Sequence, residues 1–164
     1  DKYIDDEEQH TKGYIQTKQQ LVTTQATLGK LGFRIGLHCP EYDFNQTVEG
    51  RTILDYITDP VFGTAVYAEP DTYWISVAGK DPLEEFRKFS GRAPIVHLKD
   101  YIKGFAPEDM DNNLTELGNG DVDFKAIVEW GEKSGVEYYC IEQDYSKIGI
   151  FNSLAKSFDH LMSI

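Results

Sequence analysis

Four short β-type runs alternate with helical segments along this chain, and that alternation restricts the fold more than any other feature. The runs are Phe33-Arg34-Ile35-Gly36-Leu37, Thr64-Ala65-Val66-Tyr67-Ala68-Glu69, residues 93–98 and Val136-Glu137-Tyr138-Tyr139-Cys140-Ile141. The first ends at His38-Cys39-Pro40, because proline cannot continue a central ladder, and Pro70 stops the second. Residues 5–31 read as a long helix, with Asp5 as N-cap, Glu8 in capping-box position and Gly32 as the stop. Tyr14, Leu21, Leu28 and Leu31 lie at helix-like spacings within it. Residues 50–58 place Ile53, Leu54 and Ile57 on one helical face. Asp81, Pro82, Glu84 and Glu85 form a cap, a proline at the first helical position and an acidic first turn. That helix should end near Gly91. Asp123 caps a helix to Lys133, stopped by Gly135, that offers Phe124, Ile127, Val128 and Trp130 to a sheet. A last helix spans residues 151–162, and residues 101–121 read as a long loop. A helix followed by four strand-helix units predicts an α/β fold with a parallel sheet and right-handed crossovers. No linker or low-complexity stretch divides residues 1–164, so they form a single domain.

The chain carries 28 acidic and 16 basic side chains, a formal charge of -12, in the composition of a soluble globular domain. Nucleic-acid affinity draws on Lys and Arg neutralising phosphates, so this balance argues against a duplex-binding role. The longest apolar runs last a few residues, against the roughly 20 needed to cross a bilayer, and no membrane partner is expected. Cys39 and Cys140 are too few for a disulfide framework and are read as reduced. The chain begins with Asp1 and shows no signal-peptide pattern, which reads as a processed, tagged or truncated product of cytoplasmic origin.

In parallel α/β architectures ligands sit at the carboxyl ends of the strands. The first run delivers His38 there, with Glu41 and Asp43 just beyond; the second delivers Asp71; the third His97, then Lys99 and Asp100; the fourth Glu142, then Asp144. Carboxylate oxygen and imidazole nitrogen together suit borderline divalent ions such as Mn²⁺, Co²⁺, Zn²⁺ or Fe²⁺. Each residue also has a plain structural reading. Asp71 can cap a turn after Pro70, His97 can be a satisfied buried histidine, and Lys99 can neutralise an acid such as Glu142, whose unpaired burial would be costly. Those readings account for single residues and leave the set unexplained.

Four ordered blocks carry a resemblance that covers nearly the whole chain. They are Glu69-Pro70-Asp71-Thr72-Tyr73-Trp74 with Ala78-Gly79-Lys80-Asp81-Pro82, and Gly91-Arg92-Ala93-Pro94-Ile95-Val96-His97-Leu98-Lys99-Asp100. Leu117-Gly118-Asn119-Gly120-Asp121-Val122-Asp123-Phe124 and Tyr138-Tyr139-Cys140-Ile141-Glu142-Gln143-Asp144 complete them. The sequence resembles the sugar phosphate isomerase/epimerase superfamily of xylose isomerase-like TIM barrels, which includes ketose 3-epimerases and inosose dehydratases. The matched strands are the last four of eight, and a full barrel takes about 250 residues. The resemblance therefore implies a parallel (β/α) TIM-barrel type fold cut to its C-terminal half, a half-barrel or truncated barrel preceded by one long helix. Two open edges and one uncovered face follow, so the chain should lack an N-terminal half or form a homo-oligomer.

The family's metal site takes Glu, Asp, His and Glu from strands five to eight, and Asp71, His97 and Glu142 match the last three. His38, Glu41 or Asp43 completes the set. Where many relatives carry His-Asn-His and later Glu-Phe, this chain reads His38-Cys39-Pro40-Glu41-Tyr42-Asp43-Phe44, with Pro40 for the second histidine and Asp43 for the glutamate. The resemblance implies a sugar or sugar phosphate isomerase or epimerase that works by proton transfer through an enediolate. A divalent ion, Mn²⁺, Co²⁺, Zn²⁺ or Mg²⁺, would act as Lewis acid. It gives Glu142 both metal binding and one proton transfer, with Glu41 or Asp43 opposite. Trp74 and Lys99 should contact substrate, although Trp74 also fits a packed core. Three other readings stand beside this one: a non-catalytic carbohydrate-binding or assembly half-barrel, an inosose dehydratase-type lyase, and a DNA-repair endonuclease that the charge disfavours. The acidic loop 104–120 either covers a ligand or is simply solvated, and Gly118-Asn119-Gly120 is turn chemistry.

Overall fold

In a computed structural model, the structure describes residues 7–61 and 63–164, without the side chains of residues 7–9. The expected capping box lies outside the described residues, since it needs Asp5 and the side chain of Glu8. Helix α1 (Glu7–Leu28) passes into a 3₁₀ turn (Gly29–Leu31) and stops at Gly32, whose φ of 83° is the left-handed conformation that favours glycine. Tyr14 and Leu21 pack against Val48, Ile53, Tyr56 and Ile57. Leu31, expected on the same stripe, is exposed, because the 3₁₀ turn breaks the helical period before it. The helix is rich in Thr and Gln, and two buried polar side chains dock it. Lys18 Nζ donates to Tyr56 O at 2.6 Å. Gln25 Oε1 accepts from Ile35 N at 2.6 Å while its Nε2 donates to Phe33 O at 3.1 Å, fixing the approach to the first strand.

That strand, β1 (Gly36–His38), leads into α2 (Tyr42–Asn45). The helix expected from residue 50 starts later, as α3 (Ile53–Thr58), because β2 (Thr47–Val48) and β3 (Arg51–Thr52) form a small antiparallel hairpin. Strand β4 (Tyr67–Glu69) is followed by a helix absent from the sequence reading, α4 (Thr72–Val77), and then by α5 (Pro82–Arg87) under the expected Asp81 cap. Next come β5 (Ile95–Leu98) and β6 (Asp100–Tyr101), then α6 (Met110–Asn113) and β7 (Leu114–Thr115). The stretch read as one long loop therefore holds an antiparallel β6–β7 pair around a short helix whose last residue, Asn113, is fully buried. Helix α7 (Phe124–Ser134), capped by Asp123 and stopped at Gly135, leads to β8 (Tyr138–Ile141) and α8 (Ile150–Leu161).

Parallel pairs β1–β4 and β5–β8 are joined across their middle by an Asp71–His97 bridge, with Ala68 N donating to Arg92 O and His97 N to Pro70 O. The strands thus run β1, β4, β5, β8, and no closed barrel forms among the described residues. Alternation along each strand splits its side chains between two faces. Leu37, Ala68, Val96, Leu98, Tyr139 and Ile141 join the core with Phe86, Phe89, Phe124 and Ile127. The opposite face receives Gly36, His38, Glu69, Asp71, His97, Lys99, Cys140 and Glu142. Both cysteines are free. No helix among the described residues is long and apolar enough to cross a membrane.

Candidate metal centre

Asp71 is fixed first. It follows β4, and its buried carboxylate caps α4: Oδ1 accepts from Tyr73 N at 2.8 Å and Trp74 N at 3.3 Å. The sequence offered Asp71 as the cap of a turn, and the structure has it capping a helix, with Oδ2 left to face the neighbouring strands. Oδ2 lies 3.2 Å from His38 Nε2 and 3.3 Å from Lys99 Nζ. On the next strand His97 Nδ1 meets Glu142 Oε2 at 2.7 Å, and the His38 and His97 rings lie 4.4 Å apart. One ligand atom from each of His38, Asp71, His97 and Glu142 falls within 4.8 Å of the others. Each is brought there by the end of a different parallel strand.

Lys99 binds this group together. Its ammonium is 1% exposed and contacts Asp71 at 3.3 Å, Glu142 at 3.1 Å and Asp144 at 2.8 Å. The Trp74 ring covers it at 5.3 Å. Thr72 Oγ1 holds the lysine backbone on both sides, donating to Lys99 O at 2.6 Å and accepting from Lys99 N at 2.9 Å. Burial alone would lower the Lys99 pKa, but Asp71, Asp144 and Glu142 outweigh it and hold the ammonium above its ordinary range. Burial would likewise raise Glu142, yet His97 and Lys99 keep it below the usual carboxylate value. The hydrogen bond to Asp71 raises His38. The donor set suits a borderline divalent cation, two imidazoles with two carboxylates. An ammonium already bridging both carboxylates marks the spot as one that needs positive charge.

No family model matches the chain. An inosose dehydratase from Lacticaseibacillus casei is 28% identical over an alignment of 161 positions that covers 87% of this chain and 53% of that protein. A solved sugar phosphate isomerase/epimerase from Parabacteroides distasonis superposes with a TM-score of 0.69 at 21% identity, over 90% of this chain and 51% of that one. A xylose isomerase domain protein from Planctomyces limnophilus gives 0.64 at 18% identity, over 90% and 50%. The chain folds as half of a xylose isomerase-like TIM barrel.

The half-barrel spans about half the length of the curated relatives it matches. Within it, the expected residues Asp71, His97, Glu142 and His38 come together, with Lys99 and Trp74 against them. Glu41 and Asp43 do not join the cluster. Glu41 is half-buried at the start of α2. Asp43 is 5% exposed, and burial pushes its carboxyl up to about 7, with His38 close enough to draw it partly back. The sequence reading passed over Glu69, whose Oε2 lies 3.8 Å from His97 Nε2. Period-two alternation was the available signal, since it puts Glu69 on the same face as Asp71. A cavity of about 520 Å³ lined by Ser76, Lys80, Leu83, Tyr101, Lys103 and Ile127 lies elsewhere and shares no residue with the cluster.

Proposed function

We propose that this half-barrel carries the metal-binding part of an enzyme that moves a carbon-bound proton next to the carbonyl of a sugar-type substrate, as a divalent-metal-dependent isomerase or epimerase. The observation that carries this reading is the convergence of His38, Asp71, His97 and Glu142 from four neighbouring strand ends. A divalent ion held by these residues would polarise a substrate carbonyl and its neighbouring hydroxyl. Glu142, kept ionised by Lys99 and His97, is the base that takes the proton. Glu41 or Asp43, both just past His38 and outside the four-residue cluster, is the second proton-transfer group in this reading, and burial pushes the Asp43 carboxyl up to about 7, toward the range where an acid-base group works best. Trp74 shields Lys99 from water and keeps its charge directed at the carboxylates.

The 28% identical inosose dehydratase favours a second outcome from the same beginning. Once the proton is removed, loss of a neighbouring hydroxyl as water gives elimination, and return of the proton gives epimerisation or isomerisation. The test is to load the purified chain with Mn²⁺, Co²⁺ or Zn²⁺ and follow exchange of the carbon-bound proton with D₂O in a ketose and in an inosose. About one ion per chain, lost in Asp71→Asn and His97→Ala, is expected, together with exchange that depends on Glu142. A chain that takes up none of these ions overturns the metal reading, and product analysis separates elimination from epimerisation.

A further inference from the structure

Glu69 belongs neither to the four-residue cluster nor to the contacts of Lys99, yet it is held beside both. It closes β4 two positions before Asp71, so both carboxylates project from one face. Its Oε2 lies 3.8 Å from His97 Nε2, while the other ring nitrogen, Nδ1, meets Glu142 Oε2 at 2.7 Å. His97 therefore has a hydrogen-bonded carboxylate on Nδ1 and, on Nε2, a carboxylate at ion-pair distance that a small movement would bring into hydrogen-bond reach. The Glu69 side chain reaches this place by lying across Gly36 of β1, where any Cβ would overlap Glu69 Oε1, Cδ and Cγ. Glycine weakens a strand, and in strands it often marks a place where another group must pass close to the backbone. Here that group is Glu69.

We infer that Glu69, seated in the lane left by Gly36, is a positioning residue that orients the His97 ring and makes Nδ1 its metal-binding nitrogen. A neutral imidazole carries one proton, so when Nδ1 is given to a cation the proton sits on Nε2, which faces Glu69. Carboxylates placed behind a ligating histidine fix its tautomer and raise its basicity, and losing one weakens metal affinity by about 10–100-fold. This inference rests on the metal reading above.

The experiment is calorimetric titration of Mn²⁺ and Zn²⁺ into the full chain, comparing wild type with Glu69→Gln, Gly36→Ala and the double variant. Both single variants should bind about 10–100-fold more weakly, and the double variant no more weakly than the weaker single one, because both remove the same contact. The atoms that an alanine Cβ would meet at Gly36 are the mobile end of Glu69, so that substitution displaces the carboxylate and leaves the strand intact, as circular dichroism should confirm. In the Zn²⁺-loaded chain, ¹⁵N-correlated spectra should show His97 coordinated through Nδ1 and protonated on Nε2, a signature that a purely structural role for Glu69 would not produce. Wild-type binding that Glu69→Gln leaves within twofold, or zinc on Nε2, overturns this inference alone. No binding by wild type overturns the metal reading and takes this inference with it. Should Gly36→Ala fail to fold, Glu69→Gln and the spectra decide the matter.

Discussion

Asp71 does two things with two oxygens, and substitutions can separate them. Oδ1 caps α4, and Oδ2 faces His38 and Lys99. Asparagine is as good a cap as aspartate, whereas alanine at a capping position costs about 1 kcal/mol. Asp71→Asn should therefore keep the helix and lose the metal. Asp71→Ala should lose both, and urea denaturation should place it about 1 kcal/mol below Asp71→Asn. Asp43 gives a pH signature. Its carboxyl is raised to about 7 by burial, against an ordinary value near 4, so between those limits the folded chain binds the proton that the unfolded chain releases. Stability should fall as pH rises from about 4 to about 7 and level off above that. Asp43→Asn should flatten the curve and gain on wild type at pH 8 by up to a few kcal/mol, which melting curves at several pH values would register. At this scale the sequence was legible where a local pattern places a residue: Asp71, His97 and Glu142 stand at strand ends, and Asp81 and Asp123 cap their helices. Alternation puts Glu69 on the face of Asp71, but its approach to His97 across Gly36 joins three strands that local sequence does not bring together.

Among elements, the long helices and the four parallel strands were readable, since capping and periodicity are local. The elements that escaped are those that local sequence does not determine. The pairs β2–β3 and β6–β7 are two residues per strand, and α4 is a single helix of six residues whose start is fixed by the Asp71 carboxylate. Asp100 shows what fixes the largest of these regions. Fully buried, it accepts from Tyr101 N at 2.8 Å and Val122 N at 3.2 Å through Oδ1, and from Gly118 N at 2.9 Å and Gly120 N at 2.8 Å through Oδ2. One side chain thus pins the turn 117–122 to β6 and sets where α7 begins. Burial raises its pKa although these four donors oppose the rise. Replacing it with alanine strands several buried N–H groups, each worth about 1–3 kcal/mol when left unpaired. Asp100→Ala should cost about 3 kcal/mol or more by denaturant titration, with faster hydrogen exchange at Gly118 and Gly120. Asp100 is consequently scaffolding, which the acidic count alone could not reveal.

At the scale of the whole molecule, the helices among the described residues cover one face of the sheet, whereas parallel sheets are ordinarily buried on both. The outer strands β1 and β8 carry exposed apolar neighbours. Phe33 precedes β1, Tyr138 lies in β8, Phe151 and Phe158 project from α8 at 89% and 54% exposure, and Met162 just after it is 69% exposed. Arg34 and Glu137, just ahead of the two outer strands, join in a bidentate pair at 2.5 and 2.7 Å, but so exposed an ion pair contributes little. The half-barrel was legible from its resemblance. The stickiness of α8 was not, since periodicity shows an apolar stripe without showing what lies against it. Large exposed apolar patches mark interaction or aggregation surfaces. The formal charge of -12 opposes association between copies, and salt screens that repulsion with a length near 10 Å at 0.1 M. Light scattering should therefore find a mass that rises with concentration and rises further with added NaCl, the direction opposite to that of an ion-paired interface. Phe151→Lys with Phe158→Glu should suppress the rise while shifting folding stability by no more than about 0.5 kcal/mol per site, because neither side chain is buried. A mass that stays at one chain across concentration and salt would show that these residues attract nothing, and that solvation of α8 is enough to keep the open face apart.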